Sequence, residues 1–409
     1  MTLWHLSFRY LLRRWGGAVL TILVGAFGIA VIGSVLTVAE KVPAAVRTVL
    51  GGADMVVGPK GSELDLVLCC ALHIAPTRGL IPYRAAEAAV TSPFVKASAP
   101  VALGDSYNGT RILWTTPGFM TVYDAHLAQG RMWSGPMEAV AGAQAVRARH
   151  LHIGSTLIST HGLDVGGELH TNARYTVVGI LAPTGTVIDR LILSDLKSIR
   201  VVHTDTSDPD EQGASQVAGR GYDADGNPLA ISAVVARFSS PIAAAIEPRR
   251  ISTETDLTAA NPMLEMARLS ALARPGFDLV LVFGVVFGVV AALMAAVGLM
   301  SALNQRARDL ALLRILGASR LKVARVAVQE ALILSHLAFA VGVVLALGLG
   351  LVVSDKLFAY GLLIQPGLSL QTLAVLYLGT WLSAVTASVV PVVRAIAGDG
   401  DNLEGALSA

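Results

Sequence analysis

The chain has 409 residues, of which 54% are hydrophobic and 15% charged, and its mean hydropathy is +0.62. Soluble domains run at about 45–50% apolar and about 25% charged, so this composition excludes an ordinary soluble protein and points to a membrane. The net charge is only +2, with basic residues spread over several regions, so there is no electrostatic footprint for nucleic acid and no such partner is expected.

In chain order, a basic N-terminal segment (1–16, with Arg9, Arg13 and Arg14) precedes the first long apolar run, 17–38. Three more runs follow at 277–303, 326–353 and 370–393, and each meets the roughly 20 residues that a helix needs to cross a bilayer. Gly25, Gly28, Gly33, Gly284, Gly288, Gly298, Gly342, Gly348 and Gly350 fall inside the runs, as close helix packing in lipid requires. Gly284 and Gly288 form a small-xxx-small pattern. The first run could instead be a signal peptide, but it is far longer than the 7–15 residues typical of an h-region, which favours an uncleaved anchor. The fold class expected is therefore a membrane protein of four transmembrane α-helices, with a large α+β extracytoplasmic domain between helices 1 and 2. The positive-inside rule puts segment 1–16, segment 304–325 and the tail 394–409 in the cytoplasm. Domain 39–276 and the short loop 354–369 are then outside.

Within 39–276, short β-rich runs at 54–58, 110–114, 175–180, 190–193 and 231–235 alternate with helical patterns at 83–90, 138–150, 195–201, 241–251 and 262–273. This mixture is an α+β pattern. Residues 203–228, rich in Asp, Ser, Gly and Gln, read as an exposed loop.

Catalytic and ligand-binding signals are sparse. Gly51–Ser62 (GGADMVVGPKGS) faintly resembles a phosphate loop, but Pro59 precedes Lys60 and Gly61 follows it, which breaks the Gly-Lys-Ser/Thr ending. Pro59 also removes a backbone N–H donor. Cys69, Cys70 and His73 are metal-type ligands at short spacing, yet a structural zinc site takes four. His150, His152, His161 and His170 could join only through folding, so no metal is expected and small buried cysteines are the plainer reading. Adjacent cysteines have Cα atoms about 3.8 Å apart, too close for ordinary disulfide geometry. Asp278 is expected to start the second spanning helix, with Glu330 and His336 in the first turns of the third. Ionisable groups at membrane depth mark function by default, but near helix ends anchoring is favoured over proton coupling.

Residues 305–326 (QRARDLALLRILGASRLKVARV) carry Arg306, Arg308, Arg314, Arg320, Lys322 and Arg325 with Asp309 as the one acid. Leu310, Leu313 and Leu316 recur near helical spacing, and Gly317 suggests a helix stop. One reading is an amphipathic anchor on anionic lipid; the other is a docking helix for a cytoplasmic partner.

The segment RDLALLRILGASR (308–320) resembles the cytoplasmic stretch after the second membrane helix of FtsX/MacB-type ABC transporter permeases. The resemblance extends to QEALIL (329–334), LSFRYLLRR (6–14), YTVVGILAPTGT (175–186) and GADMVVGPKGS (52–62). It implies a non-catalytic permease subunit, paired with a second copy or a paralogue, with an ATPase subunit docked beneath each. No cofactor is expected on this chain, ATP and magnesium being bound by the partner ATPase. Arg306, Arg308, Asp309, Leu313, Arg314, Gly317, Arg320 and Lys322 map to the family's ATPase contact, where Asp309 stands in place of a frequent Glu. A periplasmic adaptor or lipoprotein is a further candidate partner, and a bacterial inner membrane is the implied location. The alternative implied is an FtsX-like scaffold that activates an extracytoplasmic hydrolase without moving cargo.

Overall fold

The computed structural model describes residues 15–77, 79–162, 169–202, 221–305, 320–359, 365 and 367–397. The chain divides into two compact units, one of residues 1–42, 272–359 and 363–409, the other of 43–271 with 360–362.

Four long helices make up the first unit, α1 (Trp15–Val49), α8 (Pro262–Gln305), α9 (Arg320–Ala359) and α10 (Leu370–Ala397), with residues 43–49 of α1 and 262–271 of α8 belonging to the second. All four are long and apolar enough to cross a membrane. Each outruns its apolar stretch, because helix formation does not require apolar residues at the ends. Two expectations are corrected by these bounds. Asp278 does not start the second spanning helix: α8 already begins at Pro262 and passes through Pro275. Glu330 and His336 are not in the first turns of the third, since α9 opens at Arg320.

The second unit is an α+β domain. In order it contains β1 (Met55–Pro59), α2 (Glu63–Cys70), β2 (Ile81–Pro82), α3 (Tyr83–Ala89), β3 (Val95–Tyr107), β4 (Thr110–Thr115), α4 (Gly118–Val122), β5 (Leu127–Gly130), β6 (Glu138–Ala141), α5 (Ala143–Arg149), β7 (Thr156–His161), β8 (Leu169–Leu181), β9 (Ile192–Asp195), α6 (Ser198–Val202), β10 (Ala230–Ile231), β11 (Ala233–Phe238), α7 (Pro241–Glu254) and β12 (Leu257–Ala260). The main sheet runs β12-β1-β11-β3-β4-β9-β6-β8-β5. Strand β7 pairs with both β3 and β8, which closes β3, β4, β9, β6, β8 and β7 into a ring.

Both faces of this sheet are covered, and the period-2 alternation of strands sorts neighbouring residues into two cores. Met55, Val57, Ile112, Trp114, Ala139, Ala141, Val234 and Ala236 enter one. Their sequence neighbours Val56, Leu113, Val140, Ala233 and Val235 enter the other, with Phe119, Leu181 and Ile188. Burial on both faces explains why these strands read as continuous apolar runs.

The helical reading of 138–150 is corrected. Glu138–Ala141 forms β6 between β9 and β8, and only Ala143–Arg149 is helical. Gly142 makes the break: a Cβ there would lie 2.3 Å from the Ile188 carbonyl oxygen. Likewise Asp195 ends β9, and the helix expected at 195–201 is Ser198–Val202. The longest strand missed by sequence reading is β3, where Pro100 and Gly104 hide the pattern.

Candidate functional site

The four-helix unit is organised around α1. Three of its glycines, Gly25, Gly28 and Gly33, each admit a different neighbour. A Cβ on Gly25 would lie 3.2 Å from Ala338 Cβ of α9, one on Gly28 3.2 Å from the Gly288 nitrogen of α8, and one on Gly33 3.2 Å from Leu376 of α10. From the facing side, a Cβ on Gly342 of α9 would come 2.7 Å from Ile29 Cβ, and one on Gly284 of α8 2.5 Å from Ile32 Cγ1. Thus the Gly284/Gly288 pattern serves α1–α8 packing within the chain. Phe27 and Phe287 add an edge-to-face contact at 4.9 Å between the same two helices. A groove of about 610 Å³, lined by residues of all four helices including Ile32, Val285, Ser335 and Ser383, lies within this unit.

Helices α9 and α10 are joined by a polar contact in their apolar stretch. His336 Nδ1 donates to the Leu332 carbonyl oxygen at 2.7 Å, and Nε2 lies 3.1 Å from the Tyr377 hydroxyl. Phe339 stacks edge-on against Tyr377 at 5.3 Å. Glu330 is buried, whereas Asp278 is exposed. The three polar residues singled out in the sequence therefore do not form one cluster: Glu330 and His336 share α9, and Asp278 is on α8. Sequence reading missed Tyr377, because a tyrosine in an apolar run carries no distinctive signal until its partner is known.

Of the docking residues, Arg306, Arg308, Asp309, Leu313, Arg314 and Gly317 lie outside the described residues. Arg320 and Lys322 open α9. The loop expected at 203–228 is described only from 221, where Asp223 accepts from the Asp225 and Asn227 amides at 3.0 and 2.8 Å.

In the α+β unit, the glycine-rich Gly51–Ser62 stretch is tied into the fold. Gly58 lies under Leu66, where a Cβ would be 2.3 Å from Leu66 Cδ1. The Lys60 ammonium donates to the carbonyls of Ser252, Thr255 and Leu257 at 2.7, 3.3 and 3.2 Å, binding the C-terminal end of α7. Cations are favoured at such helix ends. Ser62 caps α2 by accepting from the Asp65 amide at 3.2 Å.

Cys69 and Cys70 end α2, both buried, with their sulfurs 2.9 Å apart. No third His, Cys, Asp or Glu completes a metal-binding group with them among the described residues. His73 is buried in a left-handed conformation (φ 55°), and among the described residues neither ring nitrogen has a hydrogen-bond partner. Burial holds its pKa well below the usual histidine range, and the nearby Arg111 and Arg190 push it further down. Those two arginines donate to the Ala75 and Leu72 carbonyls at 2.8 and 2.9 Å, pinning the turn after α2. His161 Nδ1 lies 3.6 Å from the Asp105 carboxylate, whose side chain is fully buried.

Four apolar helices with an α+β domain inserted between the first and second define a membrane-protein architecture with one large inserted domain. Residues 18–248 match the model of the MacB-like periplasmic core domain, and residues 281–399 match that of the FtsX-like permease C-terminal region. The chain belongs to the FtsX/MacB-type ABC permease family. Among solved structures, the periplasmic region of MacB from Actinobacillus actinomycetemcomitans aligns at 10% identity over 53% of this chain and 94% of that one, with a TM-score of 0.33. The extracellular domain of the noncanonic ABC-type transporter YknZ from Gram-positive bacteria aligns at 11% identity over 51% and 99%, with a TM-score of 0.29. No curated relative matches the chain. Members of this family are generally non-catalytic membrane subunits that work with cytoplasmic ABC ATPases.

Proposed function

We propose that this chain is the membrane-spanning subunit of an ABC transporter of the mechanotransmission kind, worked from the cytoplasm by separate ATPase subunits. The observation that carries this reading is the order of parts: one spanning helix, an α+β domain, then three spanning helices, in a chain that matches both family models. Two ATPase copies would dock on residues 305–325 of two paired permeases, with ATP and magnesium held by the ATPases. Arg306, Arg308, Arg314 and Arg320 would meet acidic groups of the ATPase, while Leu313 supplies apolar contact. The α+β unit would face the periplasm of a bacterial inner membrane.

Force transmission requires two global states that contact the partner differently. α1 is suited to pass such a change on, because it touches each of the other three helices through backbone-close glycine contacts. α1 and α8 also lead into and out of the α+β unit, so displacement of either is passed along the chain. The work delivered there would export or extract a substrate.

The test is the double variant Leu313→Ala/Arg314→Glu, co-purified with its ATPase in proteoliposomes. Stimulation of ATP hydrolysis by the permease is expected to be lost while membrane insertion persists. Unchanged stimulation would remove the docking assignment. Labelling of single cysteines at position 314 and at the exposed position 96 of the α+β unit from the same side of the membrane would remove the topology with it.

A further inference from the structure

The helix α2 ends in two adjacent buried cysteines that the transport reading does not use. Both line a cleft of about 210 Å³, together with Lys60, Asp65, Thr77 and Ser232. A cavity of about 150 Å³ holds a benzene molecule, so the cleft has room for a small ligand at the sulfurs. Beside the pair sits Arg111, a largely buried guanidinium whose Nη2 donates to the Ala75 carbonyl and whose Nε has no hydrogen-bond partner among the described residues. Among the described residues it meets no carboxylate. The ionisable groups within its reach that can turn negative are the two thiols, Cys69 and Cys70. The Cys69 thiol is held below its usual range, first by the hydrogen bond from Cys70, then by Thr77 and Arg111. The Cys70 thiol is pushed up by its bond to Cys69 and by burial. Of the two, Cys69 therefore gives up its proton more readily, and the thiolate is the nucleophilic form of a cysteine.

A direct disulfide is disfavoured here. Adjacent Cα atoms lie about 3.8 Å apart, below the 4.4 Å at which disulfide geometry usually begins. A single bridging atom between the sulfurs relieves that constraint, and it needs neither a third ligand nor an oxidant. We propose that Cys69 and Cys70 form a vicinal-dithiol site that chelates monosubstituted trivalent arsenic. The Cys69 thiolate attacks arsenic of an R–As=O species, and Cys70 adds through its own sulfur. The oxo oxygen takes the Cys70 proton and one from solvent and leaves as water. Two As–S bonds form, the As=O bond breaks, and arsenic stays trivalent. Arg111 is a positioning residue that holds the thiolate form.

The experiment uses the full-length chain, reduced and purified in detergent, titrated with phenylarsine oxide. The chain contains two cysteines, so the free-thiol count reads the site directly. One arsenical per chain is expected, with both thiols lost and both restored by 2,3-dimercaptopropanol. Cys70→Ser should weaken binding by about a hundredfold, because the second bond is intramolecular. Near-UV circular dichroism establishes that this variant is folded, and Cys69→Ser is the second variant. At pH 6.5, Arg111→Met should slow uptake severalfold, and Asp65→Asn, which removes an opposing charge, should speed it. Uptake only after denaturant is added would overturn the proposal. So would equal binding by the wild type and both single-cysteine variants, or equal rates for wild type, Arg111→Met and Asp65→Asn.

Discussion

Gly28 faces Gly288 across the contact between α1 and α8, so closely that a Cβ on Gly28 would sit 3.2 Å from the Gly288 amide nitrogen and 3.3 Å from the Gly284 carbonyl oxygen. Both obstacles are backbone and cannot rotate aside. Gly348, on α9, has nothing within 4 Å of the same position. Gly28→Leu is therefore expected to destabilise the four-helix unit by at least about 1–3 kcal/mol, the usual cost of overpacking. Gly348→Leu should be tolerated. Thermal unfolding midpoints in detergent separate the two, and equal midpoints would contradict the proposed role of α1 as the common packing partner.

Trp114 and Tyr175 bring strands β4 and β8 together through a buried hydrogen bond, in which the indole Nε1–H donates to the phenol oxygen at 2.8 Å. Tyr175→Phe keeps the ring and removes the acceptor of this indole hydrogen bond. The cost of an unsatisfied buried donor is about 1–3 kcal/mol. Urea unfolding followed by tryptophan fluorescence should show a lower midpoint with an unchanged slope. An unaltered midpoint would mean that water replaces the phenol oxygen.

His73 makes the α+β unit sensitive to acid. Its pKa in the fold is well below the usual value because burial, Arg111 and Arg190 all oppose a further positive charge. In the unfolded chain it titrates near about 6.5. The unfolded state therefore binds the proton first, so this contribution to stability is complete above about pH 6.5 and lost as pH falls toward the folded pKa. The slope is at most about 1.4 kcal/mol per pH unit for one proton. Asn tolerates the left-handed backbone at this position, so His73→Asn should flatten the stability profile between pH 7.5 and 5.5. A profile as steep as that of the wild type would assign the acid sensitivity to other groups.

Much of the architecture is legible without coordinates, because the bilayer imposes a length and a polarity that a chain cannot disguise. The apolar runs beginning at residues 17, 277, 326 and 370 lie within helices α1, α8, α9 and α10. The α+β character of the inserted domain shows in its alternating short strands and helices. The family is legible as well, in the wording around residues 308–320 and 175–186, whose resemblance agrees with the two matching family models. Element boundaries were harder. Residues 138–141 favour a helix by local propensity, yet become a strand because β8 and β9 supply ladder partners on both sides.

The sequence by itself determined that this protein belongs in a membrane, with four spanning helices and one large inserted domain, since hydropathy and length are local properties summed along the chain. Tertiary structure alone decided which glycines are contact points and which are idle, that Lys60 clamps the end of α7, and that His336 meets Tyr377. It also decided that Cys69 and Cys70 share a cleft near Arg111 and not with His73. Each of these depends on residues far apart in sequence arriving within a few ångströms of one another, and no pattern of neighbours along the chain encodes that.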